Sequence, residues 1–394
     1  MKLLCICASA LLLCASLPAE TPVERANEAE RLIRGGKQQE GLAALANAAE
    51  LPGASAESED RIGFLFAVLG RQSEAVTHFE KSISLKQEYA PAHYHLGVAR
   101  WLAKDQEGAL PELEKAVKLS PFTFDYHFRL GSAYLELGRY ENAAAELEEA
   151  IGIDKTQAAA WTTLGQARNG YATQLIETRQ PERAIEQSQN VLAHDPKNDT
   201  AQMNIGYAYL KMGEFAKAEK AYRTAAANDP ASPAAHYDLA ITLKMQDRLE
   251  DAQKELRETI RLDPSLAEAH YTLGITNWQA GDFAATIREM KAALAIRSDY
   301  AEAHYMLGIV LKQTGDLDTA LLELKEAIRL DPTTPGPFNT LGQILRIKGD
   351  KQGSEEAFAT GGRLKREKEG QLANSLEQGM RGGTFPKPLA RPSH

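Results

Sequence analysis

A glycine returns through this chain at a fixed interval, each time inside a similar phrase. Gly63, Gly97, Gly131 and Gly165 stand 34 residues apart, one step of 41 leads to Gly206, and Ala240, Gly274, Gly308 and Gly342 resume the spacing of 34. A period of this length means that one small supersecondary unit is copied, and that each copy buries its apolar face only against its neighbours. Such a chain has no single closed core in which to build a reaction chamber. It builds a long surface on which other molecules sit.

Inside the unit, apolar residues fall at helical spacing, as in Leu307, Val310 and Leu311 and again in Leu321, Leu324 and Ile328. Each unit therefore holds two amphipathic helices. Gly315 lies between them, where a helix end favours a left-handed residue, and Asp316 follows as the N-cap of the second helix. Gly281-Asp282 and Gly349-Asp350 repeat this pairing. Asp331-Pro332 closes the second helix, because a residue before proline avoids the α region, and Asp195-Pro196, Asp229-Pro230 and Asp263-Pro264 do the same. Glycine in mid-helix costs about 1 kcal/mol against alanine. Its recurrence predicts a close approach of the partner helix, with Ala320 and Ala327 facing Gly308. Pro111 falls inside a second helix, where it is expected to remove one backbone bond and kink the chain at a cost of about 3 kcal/mol.

The phrase Ala267-Glu268-Ala269-His270-Tyr271-Thr272-Leu273-Gly274 returns as Ala301-Glu302-Ala303-His304-Tyr305-Met306-Leu307-Gly308, with weaker copies from Ala90 to Gly97 and from Pro233 to Ala240. Small and large residues occupy Leu307, Gly308, Leu311, Ala320, Leu324, Ala327 and Pro332 in one unit. This pattern closely resembles the tetratricopeptide repeat, and the resemblance covers residues 56–364. It implies an all-α fold, a right-handed superhelical solenoid of helix-turn-helix units. In this register the units are 56–89, 90–123, 124–157, 158–198, 199–232, 233–266, 267–300, 301–334 and 335–368. Residues 22–55 read as a degenerate capping unit that keeps Gly36, Leu45 and Ala48. The repeats run over 56–157 and 199–368, with 158–198 between them carrying seven extra residues near Asn169 to Gln180. Seven residues make almost two helical turns, so the apolar face keeps its phase and a longer hairpin is expected. Residues 363–380 read as a charged capping helix, and 381–394, with Gly382-Gly383 and three prolines, as a disordered tail.

The resemblance implies that first helices line an inner groove through their second, fifth, ninth and twelfth places. The fifth place gives Tyr94, Phe128, Tyr237, Tyr271 and Tyr305. The ninth gives Val98, Ile241, Ile275 and Ile309, and the twelfth gives Trp101, Lys244, Trp278, Lys312 and Arg346. Tyr271, Ile275 and Trp278 are spaced by four and three and share one helical face. Two readings stand side by side: these aromatics pack between helices, or they form an apolar strip with basic residues at one side for a peptide or protein segment. The paired lysines and asparagines with which some family members grip a C-terminal carboxylate are missing.

Histidines 93, 127, 236, 270 and 304 share the fourth place of five units. Each is a whole unit from the next, too far to converge on one ion, so no metal site is expected. No phosphate loop, nucleophile elbow or HExxH occurs, and no catalytic function, cofactor or small-molecule substrate is expected. The net charge is −9, and Arg363–Lys368 is the lone basic run, so nucleic acid is not an expected partner.

The first residues read as a secretory leader, residues 1–19. Met1-Lys2 is a positive start, Leu3 to Leu13 an apolar run of eleven, and Pro18-Ala19 a cleavage site. That run is too short to span a bilayer. All three cysteines, Cys5, Cys7 and Cys14, lie in it, so the mature chain holds no thiol. Leader and resemblance together point to an exported bacterial member of the family, periplasmic or secreted. The expected function is that of a protein-interaction adaptor, suited to assembly of an envelope or secretion complex. Alternatives are a membrane-tethered scaffold acylated at Cys14, although Leu13 before it is not small, or a cytosolic co-chaperone if the leader is no signal. Self-association, or binding of the chain's own tail through Phe385 and Leu389, is a further way to fill the groove.

Overall fold

The computed structural model describes residues 20–382. The leader with Cys14 and the tail from residue 383, including Phe385 and Leu389, lie outside them. Among the described residues the regular structure is α-helical, without a strand, and the fold is an all-α helical repeat solenoid.

Two compact units divide between Ala167 and Arg168. In the first, the helix pairs are α1 (Pro22–Arg34) with α2 (Gln38–Glu50), α3 (Ala56–Val68) with α4 (Gln72–Leu85), α5 (Ala90–Leu102) with α6 (Gln106–Leu119), and α7 (Phe124–Glu136) with α8 (Tyr140–Ile153). The division falls inside α9 (Ala158–Glu177). The second unit continues with α10 (Pro181–His194), then pairs α11 (Asp199–Lys211) with α12 (Phe215–Asn228) and α13 (Pro233–Met245) with α14 (Leu249–Leu262). It closes with α15 (Ala267–Gln279) and α16 (Phe283–Ile296), α17 (Ala301–Thr314) and α18 (Leu317–Leu330), and α19 (Pro335–Ile347) and α20 (Lys351–Gly382).

Local chemistry sets these boundaries. Gly315 ends α17 in the left-handed region at φ 90°, and Asp316 accepts the Thr319 N–H at 3.2 Å to open α18. Asp282 and Asp350 cap α16 and α20 in the same way. Lys104, Arg179 and Asp247 occupy the inter-helix turn with φ near 60°, a conformation that costs a non-glycine residue about 1 kcal/mol. The aspartate that closes a second helix does two things. Asp331 turns to extended backbone (φ −132°, ψ 91°), and its carboxylate accepts the Thr333 N–H at 2.9 Å, bridging to the next first helix. Asp229 and Asp263 make the same turn.

Four expectations are refined. The central glycine is not matched mainly to alanines. A Cβ built on Gly308 would lie 2.8 Å from Leu324 Cγ, whereas Ala320 contributes its carbonyl oxygen at 3.4 Å. Phe79, Tyr222 and Met290 press in the same way on Gly63, Gly206 and Gly274. A large side chain sixteen residues on fills the space that glycine leaves. The seven extra residues lengthen α9 alone, which has 20 residues, while α10 keeps 14. Ala160, Leu164, Ala167, Tyr171 and Leu175 stay buried along one stripe of α9, so the phase is kept across the added turns. Helix α6 continues through Pro111 to Leu119, so the proline does not end it. Residues 363–380 begin no new helix, because α20 is continuous over 32 residues. Gly361 lies within it, where a Cβ would collide with the Asn339 side chain of α19.

Candidate functional site

The predicted strip is built separately in each unit. In the second, α13, α15, α17 and α19 stand in a row tied by side chains. Tyr237 Oη lies 3.1 Å from Thr272 Oγ1, Trp278 Nε1 donates to Gln313 Oε1 at 2.8 Å, and Lys312 Nζ donates to Gln343 Oε1 at 2.6 Å. Tyr237, Ile241, Tyr271, Ile275, Trp278, Tyr305 and Ile309 are all half-buried. Six of them are packed against the buried core, including Leu307, Leu324 and Leu256. Each of these residues is therefore partly packed against the core and partly exposed. Tyr271 also meets the Tyr300 ring at 4.9 Å, and Arg297 lies 3.5 Å from the centre of that ring. Burial, helped by Glu302 and then Tyr237, raises the Tyr271 hydroxyl above the usual tyrosine range.

The twelfth-place residues differ among themselves. Lys244 is half-buried, and that burial alone lowers its pKa from the ordinary lysine value. Arg346 is exposed, with its guanidinium 5.9 Å from the centre of the Phe358 ring.

In the first unit the aromatic residues are more committed to packing. Tyr94 stacks on Tyr126 at 4.7 Å, and Phe128 on Phe124 at 5.5 Å. Burial, then Asp60, pushes the Tyr126 hydroxyl up to about 12. Val98 packs against the core beside them. Trp101 is only 7% exposed, donates from Nε1 to Glu136 at 3.0 Å, and lies beneath Arg129 at 5.3 Å. It ties α5 to α7 and presents almost no surface to a ligand.

Sequence reasoning missed the residues that hold the tryptophans. Glu136 and Gln313 stand 35 residues after Trp101 and Trp278, one period plus one, an offset visible only once the period is known. It also missed what the histidine column does. Nδ1 of each imidazole meets a glutamate nineteen residues on: His93 with Glu112 at 2.6 Å, His127 with Glu146, His236 with Glu255, His270 with Glu289 and His304 with Glu323. Each pair joins the two helices of one repeat. In the repeat 56–89 the same pair is reversed, with Glu59 on α3 and His78 on α4 at 2.7 Å. Among the described residues, no group of three or more histidine, cysteine, aspartate or glutamate side chains is placed to hold a metal ion.

Helix pairs stacked in sequence, with a row of tied first helices that leaves aromatic edges open, define a helical-repeat scaffold. Two family models, both described as Tetratricopeptide repeat, match the chain, one over 107–159, 172–233, 203–267 and 237–297 and the other over 277–341. The chain belongs to the tetratricopeptide repeat family, a family of protein-interaction scaffolds. No curated protein matches its sequence significantly. Similar solved structures include MamA, with 27% identity and a TM-score of 0.40 over 42% of this chain and 96% of that one. MamA 41-end from Desulfovibrio magneticus RS-1 gives 21% and 0.41 over 43% and 96%. YrrB, a tetratricopeptide protein with an unusual peptide-binding site, gives 16% and 0.40 over 45% and 91%.

Proposed function

We propose that this protein is an exported scaffold that holds peptide or protein segments along the first-helix row of its second unit. The observation that carries this reading is repetition. Three successive first helices, α13, α15 and α17, offer tyrosine at the fifth place and isoleucine at the ninth, all half-buried. Anchored aromatic rings with an open edge give large contact area at little entropic cost. The strip holds no arrangement that would do chemistry on what it binds, so the proposed role is holding and not catalysis.

Crosslinking with mass spectrometry in the native host, comparing wild type with Tyr271→Ala/Trp278→Ala, tests the site. Truncating two central aromatics is expected to lower partner capture by about tenfold or more, with helical content unchanged by circular dichroism. Undiminished capture would remove the strip as the binding face.

Export rests on the leader, and the assembly of an envelope or secretion complex is the class of work proposed for it. No helix among the described residues is long and apolar enough to cross a membrane. The intact mass of the natural protein tests export: a chain beginning at Glu20 is expected. A lipid mass on Cys14 or a retained leader would count against the exported form and for a membrane-tethered scaffold.

A further inference from the structure

The strip of the second unit has one edge whose charge the protein leaves unbalanced. At the twelfth place, α13 carries Lys244, α17 carries Lys312 and α19 carries Arg346, with Trp278 between the first two. The chain as a whole is acidic, with 54 carboxylate residues against 45 lysines and arginines; in this unit Arg248, Arg297, Arg329 and Lys348 reach a carboxylate, whereas Lys254, Arg257, Arg288 and Lys325 make no ion pair among the described residues. The three edge cations likewise reach none. Among the described residues, Lys244 has no ion-pair partner, Lys312 has only the neutral amide of Gln343, and Arg346 has only the ring of Phe358. Holding an ammonium half out of water without a counter-charge is unfavourable, and the arrival of a carboxylate relieves it. Half-buried Ile241 and Ile309 stand three residues before Lys244 and Lys312, on the same helical face. At the second place, Glu302 has no ion-pair partner among the described residues and Glu268 is paired with Arg297.

We infer that the occupant of this strip is an extended, acidic segment of another protein whose carboxylates meet Lys244, Lys312 and Arg346 and whose apolar residues lie on the tyrosine–isoleucine surface between them. The inference rests on the strip being the binding face. The cations stand on α13, α17 and α19, with Trp278 on α15 between the first two, so acidic residues alternating with apolar ones along the segment suit this row. The segment binds through its side chains along its length and needs no free C-terminus.

The test is isothermal titration of the full chain with three synthetic peptides. Each has four copies of Glu-Leu-Ala, Lys-Leu-Ala or Gln-Leu-Ala, with both ends blocked. The glutamate peptide is expected to bind about tenfold or more tighter than the lysine peptide, and to weaken as salt is raised. Lys244→Glu/Lys312→Glu is expected to reverse that preference with helicity unchanged. If that variant loses its fold, Lys244→Gln/Lys312→Gln serves in its place, with an expected loss of about fivefold for the glutamate peptide. Equal binding of the glutamate and lysine peptides would overturn the charge assignment and leave the strip itself standing. Binding by none of the three would also overturn it, and the crosslinking comparison of Tyr271 and Trp278 then decides separately whether the strip is the face at all.

Discussion

Leucine at Gly308 is expected to destabilise the second unit by about 3 kcal/mol, the upper part of the usual range for overpacking a core. The reason is spatial. The first carbon of any side chain there would stand 2.8 Å from Leu324 Cγ and 2.9 Å from its Cδ2, closer than carbon atoms pack. Leu324 is fully buried and sits among Ala320, Leu307 and Leu311, so it has nowhere to retreat. Alanine at Gly308 should cost less, because Ala240 already holds a methyl group at the equivalent place, packed with Leu256. Gly370 is the control. It lies inside α20 with nothing within 4 Å of its would-be Cβ, so leucine there is expected to be neutral or to stabilise by up to about 1 kcal/mol through helix propensity. Urea unfolding followed by circular dichroism measures all three. A Gly308→Leu protein with the wild-type midpoint would mean that close packing does not explain the recurring glycine.

What could be read from the sequence was whatever the chain decides locally or repeats. The period exposed the units. The helical spacing of Leu307, Val310 and Leu311 exposed the helices, and Gly315-Asp316 and Asp331-Pro332 exposed their ends, because capping is settled within a few residues. The tie of Trp278 to Gln313 and the pairing of His270 with Glu289 were legible in principle, as offsets of 35 and 19. They become contacts only when the packing direction of the helices is known. The fate of the insertion was not legible. Two helices can share seven residues in several ways, and the stripe through Tyr171 and Leu175 on α9 settles it only in three dimensions. The length of α20 was not legible for a related reason: Gly361 sits against Asn339 of the facing helix, a contact set only in three dimensions. The strip residues were found through family positions. Their double life, half core and half surface, needed the structure, and Trp101 proved to be almost wholly core.

Exchanging Glu59 and His78 is expected to restore most of the stability that either single change removes. In five repeats histidine stands on the first helix and glutamate on the second, 2.6–2.8 Å apart, but in the repeat 56–89 the order is reversed at 2.7 Å. Glu59 is 1% exposed and also takes a charge-assisted bond from Lys81 at 2.6 Å. Glu59→His alone sets two imidazoles and a lysine against one another, and His78→Glu alone sets two buried carboxylates face to face. Removing one partner of a fully buried pair costs about 3–5 kcal/mol. His78 and Lys81 are 14% and 45% exposed, so each single change is expected to cost nearer to 2 kcal/mol. The exchanged protein should lie within about 1 kcal/mol of wild type, a coupling large enough to measure in a double-mutant cycle. Two terms keep the recovery incomplete. His78 stacks on Phe66 at 5.2 Å, a contact glutamate cannot make, and Lys81 would be left beside a histidine. The second term is small if the repeat 90–123 is a guide, since Lys115 follows His93 at the same offset of 22. Additive losses in the exchanged protein would show that the pair is not a symmetric tie between the helices of a repeat. The histidine column would then need a reason other than the joining of each first helix to its second.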